Sequence, residues 1–149
     1  MNYLNQSESA QRRDERNREL TELYCEIYDK ITSKRVKNPR QAALAIAIAT
    51  GTPPYHVSFD RAYIVVPKLL AGDCRLKFKS NVNREMWNDI CNKVKCLTAN
   101  GNISIAKAIE IVLIQCRASR FFISESNAWV IIKRQLKRMN CRKPYGRAA

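Results

Sequence analysis

The stretch YHVSFDRAYIVV at residues 55–66 is matched 66 positions later by FFISESNAWVII at residues 121–132. Each stretch places an aromatic residue, a β-branched or apolar residue and a serine ahead of an apolar run at helical spacing. The match extends without a gap over residues 17–70 and 83–136, with ten identities in 54 aligned positions. Because self-similarity at a fixed period marks a repeat architecture, the sequence predicts a tandem duplication of one small module.

Each module is predicted to be mainly α, with three helices and a short extended connector before the third helix. Apolar residues at helical spacing, such as Leu20, Tyr24 and Ile27, mark the first helix. The second helix begins at Pro39 in one module and after Ser104 in the other, because both residue types favour a helix start. It is apolar nearly all round, which predicts that it is the most buried element of each module.

The third helix is predicted to differ between the modules. It begins after Ser58 in the first module and after Ser124 in the second, since a serine side chain caps free backbone amides. Pro67 lies well inside the first of these helices and is expected to end or kink it near Val66. The second module is therefore predicted to keep the longer and more basic third helix.

The repeat also sets the predicted domain boundaries. The Gly72-Asp73 turn favours a plain linker between the modules. Whether the modules share one core stays open at this point. The predicted parts are a polar N-terminal tail at residues 1–16, module 1 at 17–70, a linker at 71–82, module 2 at 83–139 and a basic C-terminal tail at 140–149.

The positive charge of the chain is large and unevenly distributed. The 149 residues include 27 Lys and Arg against 13 Asp and Glu, a net charge of +14. Residues 83–149 hold about +9 of this charge, and no acidic residue follows Glu125. A charge of this size and placement favours a polyanionic partner such as nucleic acid.

Several function classes find little support in the residues. The six cysteines form no Cys-x-x-Cys pair and His56 is the only histidine, so we expect neither a metal site nor a cofactor. His56 aligns with Phe122 and has no evident catalytic partner, so we expect no catalytic residue and no enzyme activity. No apolar run approaches the roughly 18 residues of a membrane span. We expect no membrane partner and a reducing, cytoplasmic setting for the free cysteines.

The second helix, connector and third helix of module 2 invite comparison with a helix-turn-helix, in which the second helix enters the major groove. The connector of about seven residues is longer than the usual three or four. We predict a nucleic-acid-binding protein, with DNA preferred to RNA. The candidate binding residues are Arg120, Ser126, Asn127, Lys133, Arg134, Lys137, Arg138, Arg142 and Lys143.

One stretch of module 2 carries a resemblance. Residues 118–124, Ala-Ser-Arg-Phe-Phe-Ile-Ser, with Ala128 behind them, resemble an element Pro-Ala-x-Arg-Phe-Tyr-Val-Ser followed by Ala. That element recurs in small uncharacterised proteins of bacteriophages and mobile elements of gut bacteria. The resemblance covers about 35 residues, from Ile103 to Lys137. It implies a phage or mobile-element setting and no particular activity.

A second hypothesis is a structural or assembly component of a phage virion. Its duplicated modules would form interfaces with other phage proteins or with further copies of the chain, and its location would be the virion. Trp87 aligns with Thr21 and is therefore not a required core position of the module. We interpret Trp87 as a candidate interface anchor, since aromatic residues dominate many interfaces.

Overall fold

The computed structural model describes residues 2–73 and 75–142, with side chains described over 9–73 and 75–139. Apart from an isolated antiparallel bridge between Pro54 and Arg117, the regular structure of these residues is helical, which confirms the predicted mainly α class. The helices are α1 (Asn2–Thr32), α2 (Pro39–Thr50), α3 (Phe59–Leu70), α4 (Asn81–Thr98), α5 (Ile105–Gln115) and α6 (Glu125–Arg142).

Serine residues cap four of these helices. The side chains of Ser58, Ser80, Ser104 and Ser124 each accept a hydrogen bond from the backbone amide three residues further on. Such caps satisfy amides that have no partner within the helix. Helix α2 starts differently, because Asn38 adopts a left-handed conformation with φ 49° and Pro39 occupies the first turn.

Helix α1 is longer than the sequence pattern indicated. It begins at Asn2, so residues 2–16, predicted as a polar tail, are its first half. Arg12 donates from Nε and Nη2 to the backbone oxygens of Tyr55 and Val57, at 2.7 and 2.8 Å. The Arg12 side chain thereby satisfies two backbone carbonyl groups of the connector before α3, which lie outside any helix.

Helix α3 continues through Pro67 to Leu70, so of the two outcomes expected of this proline, an end or a kink near Val66, the end does not occur. Only one turn follows the proline, and the Pro67 carbonyl still accepts a bond from the Ala71 amide at 3.0 Å. Gly72, with φ 78°, then closes the helix by donating to the Leu69 carbonyl. Helix α6, with 18 residues against 12 in α3, is the longer third helix, as predicted.

The six helices form two buried cores, and each core takes helices from both halves of the sequence. Core A consists of α1, α2 and α6, whereas core B consists of α3, α4 and α5. The third helix of each half therefore packs on the first two helices of the other half. In core A the buried residues include Leu20, Ala43, Phe121, Ala128 and Ile132, and in core B they include Tyr55, Val65, Ile90, Val94 and Ile109.

Because of this exchange, the predicted modules at residues 17–70 and 83–139 do not each have a core of their own. Neither range contains a complete core, since α3 leaves the first range for core B and α6 leaves the second for core A. The linker is also anchored rather than plain: Phe78 packs against core B, and α4 begins at Asn81.

A further expectation about burial is wrong. Trp87, interpreted as an interface anchor, is only 3% exposed and belongs to core B, because α4 turns that side towards α3 and α5. Among the described residues, the second helices have the largest share of buried positions in their halves, as predicted. Each nevertheless has an exposed side, since Ile46 on α2 is 41% exposed and Ile114 on α5 is 64% exposed.

The exchange is made by two connectors that cross, the first at residues 51–58 and the second at residues 116–124. The Ala118 amide donates to the Pro53 carbonyl at 2.8 Å, and the Phe121 amide donates to the Ile48 carbonyl at 2.9 Å. Phe121 enters core A over Gly51, where an added Cβ would lie 2.0 Å from the Phe121 ring. A glycine is therefore needed at this crossing point.

Candidate nucleic-acid interface

Helix α6 has a side buried in core A and an exposed basic side. Ala128 and Ile132 are fully buried against α1 and α2. Lys133 and Lys137 lie one turn apart on the other side, as helical geometry requires. The exposed residues of this surface, which we call the α6 face, are Ser126, Asn127, Lys133, Arg134 and Lys137. All five were predicted nucleic-acid contacts, and α6 brings them together.

The cations of the α6 face have no carboxylate partner among the described side chains. Within the described residues, no carboxylate lies within ion-pair distance of Lys133, Arg134 or Lys137. Glu125, at the first turn of α6, is the last acidic residue of the sequence. The face therefore keeps a positive potential that attracts anions.

Trp129 links the α6 face to helix α2. The Arg40 guanidinium lies 4.8 Å from the centroid of the Trp129 ring, and the Lys133 ammonium lies 5.9 Å from the same centroid. The ring also packs against Tyr24 of α1, with centroids 5.7 Å apart. Because cations are attracted to the face of an indole, these contacts hold the start of α2 beside the middle of α6.

The segment before α2 extends this positive surface, and sequence reasoning missed it. Residues 33–38, which we call the basic loop, contain Lys34, Arg35 and Lys37, all exposed. In the repeat alignment these positions match uncharged residues, so they looked like ordinary loop residues. The signal that could have found them is the absence of acidic residues between Asp29 and Asp60.

Arg120 is used within the fold rather than on the α6 face. Its Nη1 is 3.1 Å from Glu85 Oε1, and its guanidinium lies 5.3 Å from the centroid of the Phe122 ring. The Nε atom also donates to the Phe121 carbonyl at 3.2 Å. These contacts fix the second connector against α4, which gives Arg120 a structural role.

Two of the remaining predicted residues, Arg138 and Arg142, lie towards the end of α6. Arg138 lines a groove between α6 and α1, where Asp14 and Glu22 are also present, so it faces carboxylates that the α6 face lacks. Arg142 is the last residue of α6. Lys143 lies outside the described residues.

The predicted helix-turn-helix of consecutive helices is not formed in the described part of the chain. Helix α6 packs on α1 and α2, and it makes no packing contact with α5. The physical reason is the connector, which carries α6 across to core A. Helices α1 and α2 therefore support α6 from behind.

Burial shifts the pKa of one thiol, that of Cys91, and of the His56 imidazole in the direction that favours their uncharged forms. Burial raises the pKa of Cys91 to about 11, so its thiol stays protonated at neutral pH. Burial and the nearby charges of Arg16, Arg13 and Arg12 lower the pKa of His56 to about 4.

The described residues offer neither a metal site nor a membrane-spanning helix. No group of three or more His, Cys, Asp or Glu side chains is placed to hold a metal ion there. In the same part of the chain, each helix is too short or too polar to cross a membrane.

No protein-family model, no curated protein and no solved structure matches the chain. Function is therefore inferred from the geometry and charge of the residues themselves.

Proposed function

We propose that this chain is a non-enzymatic protein that binds nucleic acid, with DNA preferred to RNA, through the α6 face and the basic loop. The observation that carries the proposal is the contact of Arg40 and Lys133 with one ring, Trp129. That contact places cations of two separate elements beside one ring, and no described carboxylate lies within ion-pair distance of them. Neutralising backbone phosphates is the main source of protein affinity for nucleic acid.

The binding mode follows from the shape of the surface. An α-helix fits the DNA major groove, which is about 12 Å wide. Ser126 and Asn127, exposed at the start of α6, carry groups that can hydrogen-bond base edges, while Lys133 and Lys137 further along contact phosphates. The arrangement is helix-turn-helix-like in that α2 supports α6 from behind, although the two helices are not consecutive.

The state of the reactive side chains supports a binding role. A cysteine nucleophile requires a thiolate and a nearby base, and Cys91 has a raised pKa and lies in core B. His56 is neutral and its Nε2 faces a cation, Arg16, rather than a carboxylate that would orient it for catalysis.

We also infer that the fold arose by tandem duplication of a three-helix module, followed by exchange of the third helices. Helix α2 begins at Pro39 and α5 at Ile105, while α3 begins at Phe59 and α6 at Glu125. Both pairs of starts are offset by the 66 positions of the sequence repeat. Equivalent residues, such as Tyr55 and Phe121, also enter opposite cores.

The resemblance of residues 118–124 supports a phage or mobile-element origin and action inside the host cell. A second candidate function, a virion assembly component, is favoured by a different observation. Ile64 on α3 is 50% exposed and Ile114 on α5 is 64% exposed, and exposed aliphatic residues of this kind occur at protein interfaces. Sedimentation of the wild type and of Ile64→Lys/Ile114→Lys tests this candidate, which requires the wild type to self-associate and the variant to remain monomeric.

The nucleic-acid proposal is tested by binding across a salt series to a mixed-sequence DNA duplex, an RNA duplex and a DNA single strand of equal length. The first variant is Lys133→Gln/Arg134→Gln/Lys137→Gln on the α6 face. The second is Lys34→Gln/Lys37→Gln/Arg40→Gln in the basic loop and α2. The matched control removes three charges from α3, α4 and α5 with Lys68→Gln/Lys95→Gln/Lys107→Gln.

We expect both test variants to bind duplex DNA more weakly and with a shallower salt dependence. Each lost phosphate contact reduces the log-log slope by about 0.9, so three contacts reduce it by about 2.7. The control variant is expected to keep the wild-type slope. Equal losses in all three variants would reduce the interaction to net charge alone, and absence of binding by the wild type would remove the proposed function.

A further inference from the structure

A cleft of about 460 Å³ lies where α1, α4, α6 and both connectors meet. This volume falls within the usual range of small-molecule sites, roughly 300–1,000 Å³. The cleft opens beside the α6 face and shares Asn127 with it, but none of the cations of that face lines the cleft. Residues from both halves of the chain line it, among them Arg16, His56, Asn83, Phe122 and Val130.

Arg16 is the most unusual residue of this cleft. It is only 9% exposed, and its Nε and Nη2 donate to the Asn17 Oδ1 at 3.0 and 2.7 Å. Its Nη1 lies 3.4 Å from His56 Nε2, and both partners are uncharged groups. Among the described side chains, no carboxylate forms an ion pair with Arg16.

A buried cation without an anion is costly, because neither water nor an opposite charge compensates for it. Burial and the nearby charge of Arg13 accordingly lower the pKa of Arg16 to about 10, so it remains charged at neutral pH. The guanidinium also has N–H groups beyond those used by Asn17 and His56. Arg16 therefore has both the charge and the free donors to receive an anion.

Other groups of the cleft define what kind of anion fits. The amide oxygen of Asn83 is buried and has no hydrogen-bond partner. Met86, Phe122 and Val130 provide an apolar wall opposite the polar groups. Arg16 as a whole residue is only 9% exposed, so the cleft suits a small molecule better than the backbone of a nucleic acid.

We propose that this cleft binds a small organic carboxylate. The carboxylate end pairs with Arg16, and the apolar body lies against Phe122 and Val130. The Asn83 amide oxygen accepts a hydrogen bond where the ligand carries a hydroxyl or N–H group. The groups that hold the carboxylate, Arg16 and Asn83, are not among the residues proposed to bind nucleic acid.

The test is NMR titration of the full chain with octanoate, using octanol and octylammonium as uncharged and cationic controls. His56 is the only histidine of the sequence, so its ring signals report on the cleft without ambiguity. Arg16→Gln removes the charge, and Arg18→Gln removes an exposed charge from the same helix as a matched control. Val130→Glu adds a carboxylate at the rim, with Val130→Gln as its uncharged control.

We expect octanoate to shift the His56 signals saturably in the wild type and in Arg18→Gln. Binding to Arg16→Gln should be weaker by roughly tenfold or more, the effect of losing one charge-assisted hydrogen bond. Val130→Glu should bind several-fold more weakly than Val130→Gln, and this pair decides the matter if Arg16→Gln fails to fold. An unchanged His56 spectrum in the wild type, or equal shifts with octanol, would overturn the proposal.

Discussion

His56 lies among three arginines, and its surroundings oppose protonation. Burial acts first, followed by the charges of Arg16, Arg13 and Arg12, and together they lower its pKa from 6.5 to about 4. The backbone oxygen of His56 is held by the Ser9 hydroxyl at 2.6 Å, so the residue cannot move away from the arginines without breaking a contact with α1. Acidification therefore places a positive charge in an already positive region.

This arrangement predicts how stability depends on pH. Between about pH 6.5 and 4 the unfolded chain binds a proton at His56 that the folded chain does not, so the free energy of unfolding falls as pH is lowered. The loss across this window is on the order of 3 kcal/mol. His56→Phe, which places there the residue type of the equivalent position Phe122, should lack this loss.

Urea denaturation of both proteins at pH 7.0, 5.5 and 4.5 measures the difference. The carboxylates are common to both proteins, and no other histidine contributes. The variant should gain stability relative to the wild type as pH falls. Parallel pH profiles would show that His56 becomes protonated in the folded state as readily as in the unfolded state.

At the scale of elements, helix α4 holds both connectors at their crossing. Asp89 accepts hydrogen bonds from the Tyr55 hydroxyl of the first connector and from the Ser119 hydroxyl of the second, the latter at 2.6 Å. Lys93, one turn on, donates to the Arg117 carbonyl at 2.8 Å. Burial alone would raise the pKa of Asp89, but hydrogen bonds from Ser119, Tyr55 and Lys93 outweigh it and lower the pKa.

Asp89→Asn should therefore destabilise the fold by about 2 kcal/mol, because an amide nitrogen replaces an oxygen that accepts from several donors. Asp29→Asn, at an exposed position of α1, is the matched control and should change stability by less than about 0.5 kcal/mol. Thermal and urea unfolding at pH 7 provide the measurement. Equal stability of the two variants would mean that the crossing does not depend on this carboxylate.

The helices themselves were predictable, whereas their exchange was not. Apolar spacing and the serine caps located the second and third helices, because both signals are local. The same signals cannot say which core a third helix enters, since Val65-Val66 and Ile131-Ile132 present equivalent surfaces. The choice depends on long-range contacts, such as Gly51 with the Phe121 ring and Asp89 with both connectors, which have no periodicity.

The candidate nucleic-acid interface was likewise predictable only in part. The α6 face could be predicted because a run of cations without acidic residues is visible in the sequence. The contribution of Arg40 could not, because it depends on a ring contact with Trp129 that forms only when α6 crosses to α2. The burial of Arg16 could not be predicted for a related reason, because it depends on connectors that are distant in sequence.

At the scale of the whole molecule, the exchange makes the two halves interdependent. A fragment of residues 1–76 contains α1 and α2 of core A but only α3 of core B, and a fragment of residues 77–149 contains the complementary helices. Each fragment alone would expose the apolar surface that its partner covers. The free energy lost by exposing that much apolar surface exceeds the marginal free energy of unfolding of a small domain.

We therefore expect each fragment to be largely unfolded or self-associated by circular dichroism and sedimentation. An equimolar mixture should form a 1:1 complex with the helical content and the cooperative unfolding transition of the intact chain. The intact chain, cleaved within the linker at residues 75–79, is the control and should stay associated. A folded monomer of residues 77–149 would mean that α6 can pack on α4 and α5, and that the exchange depends on the connectors alone rather than on a fit between each third helix and its core.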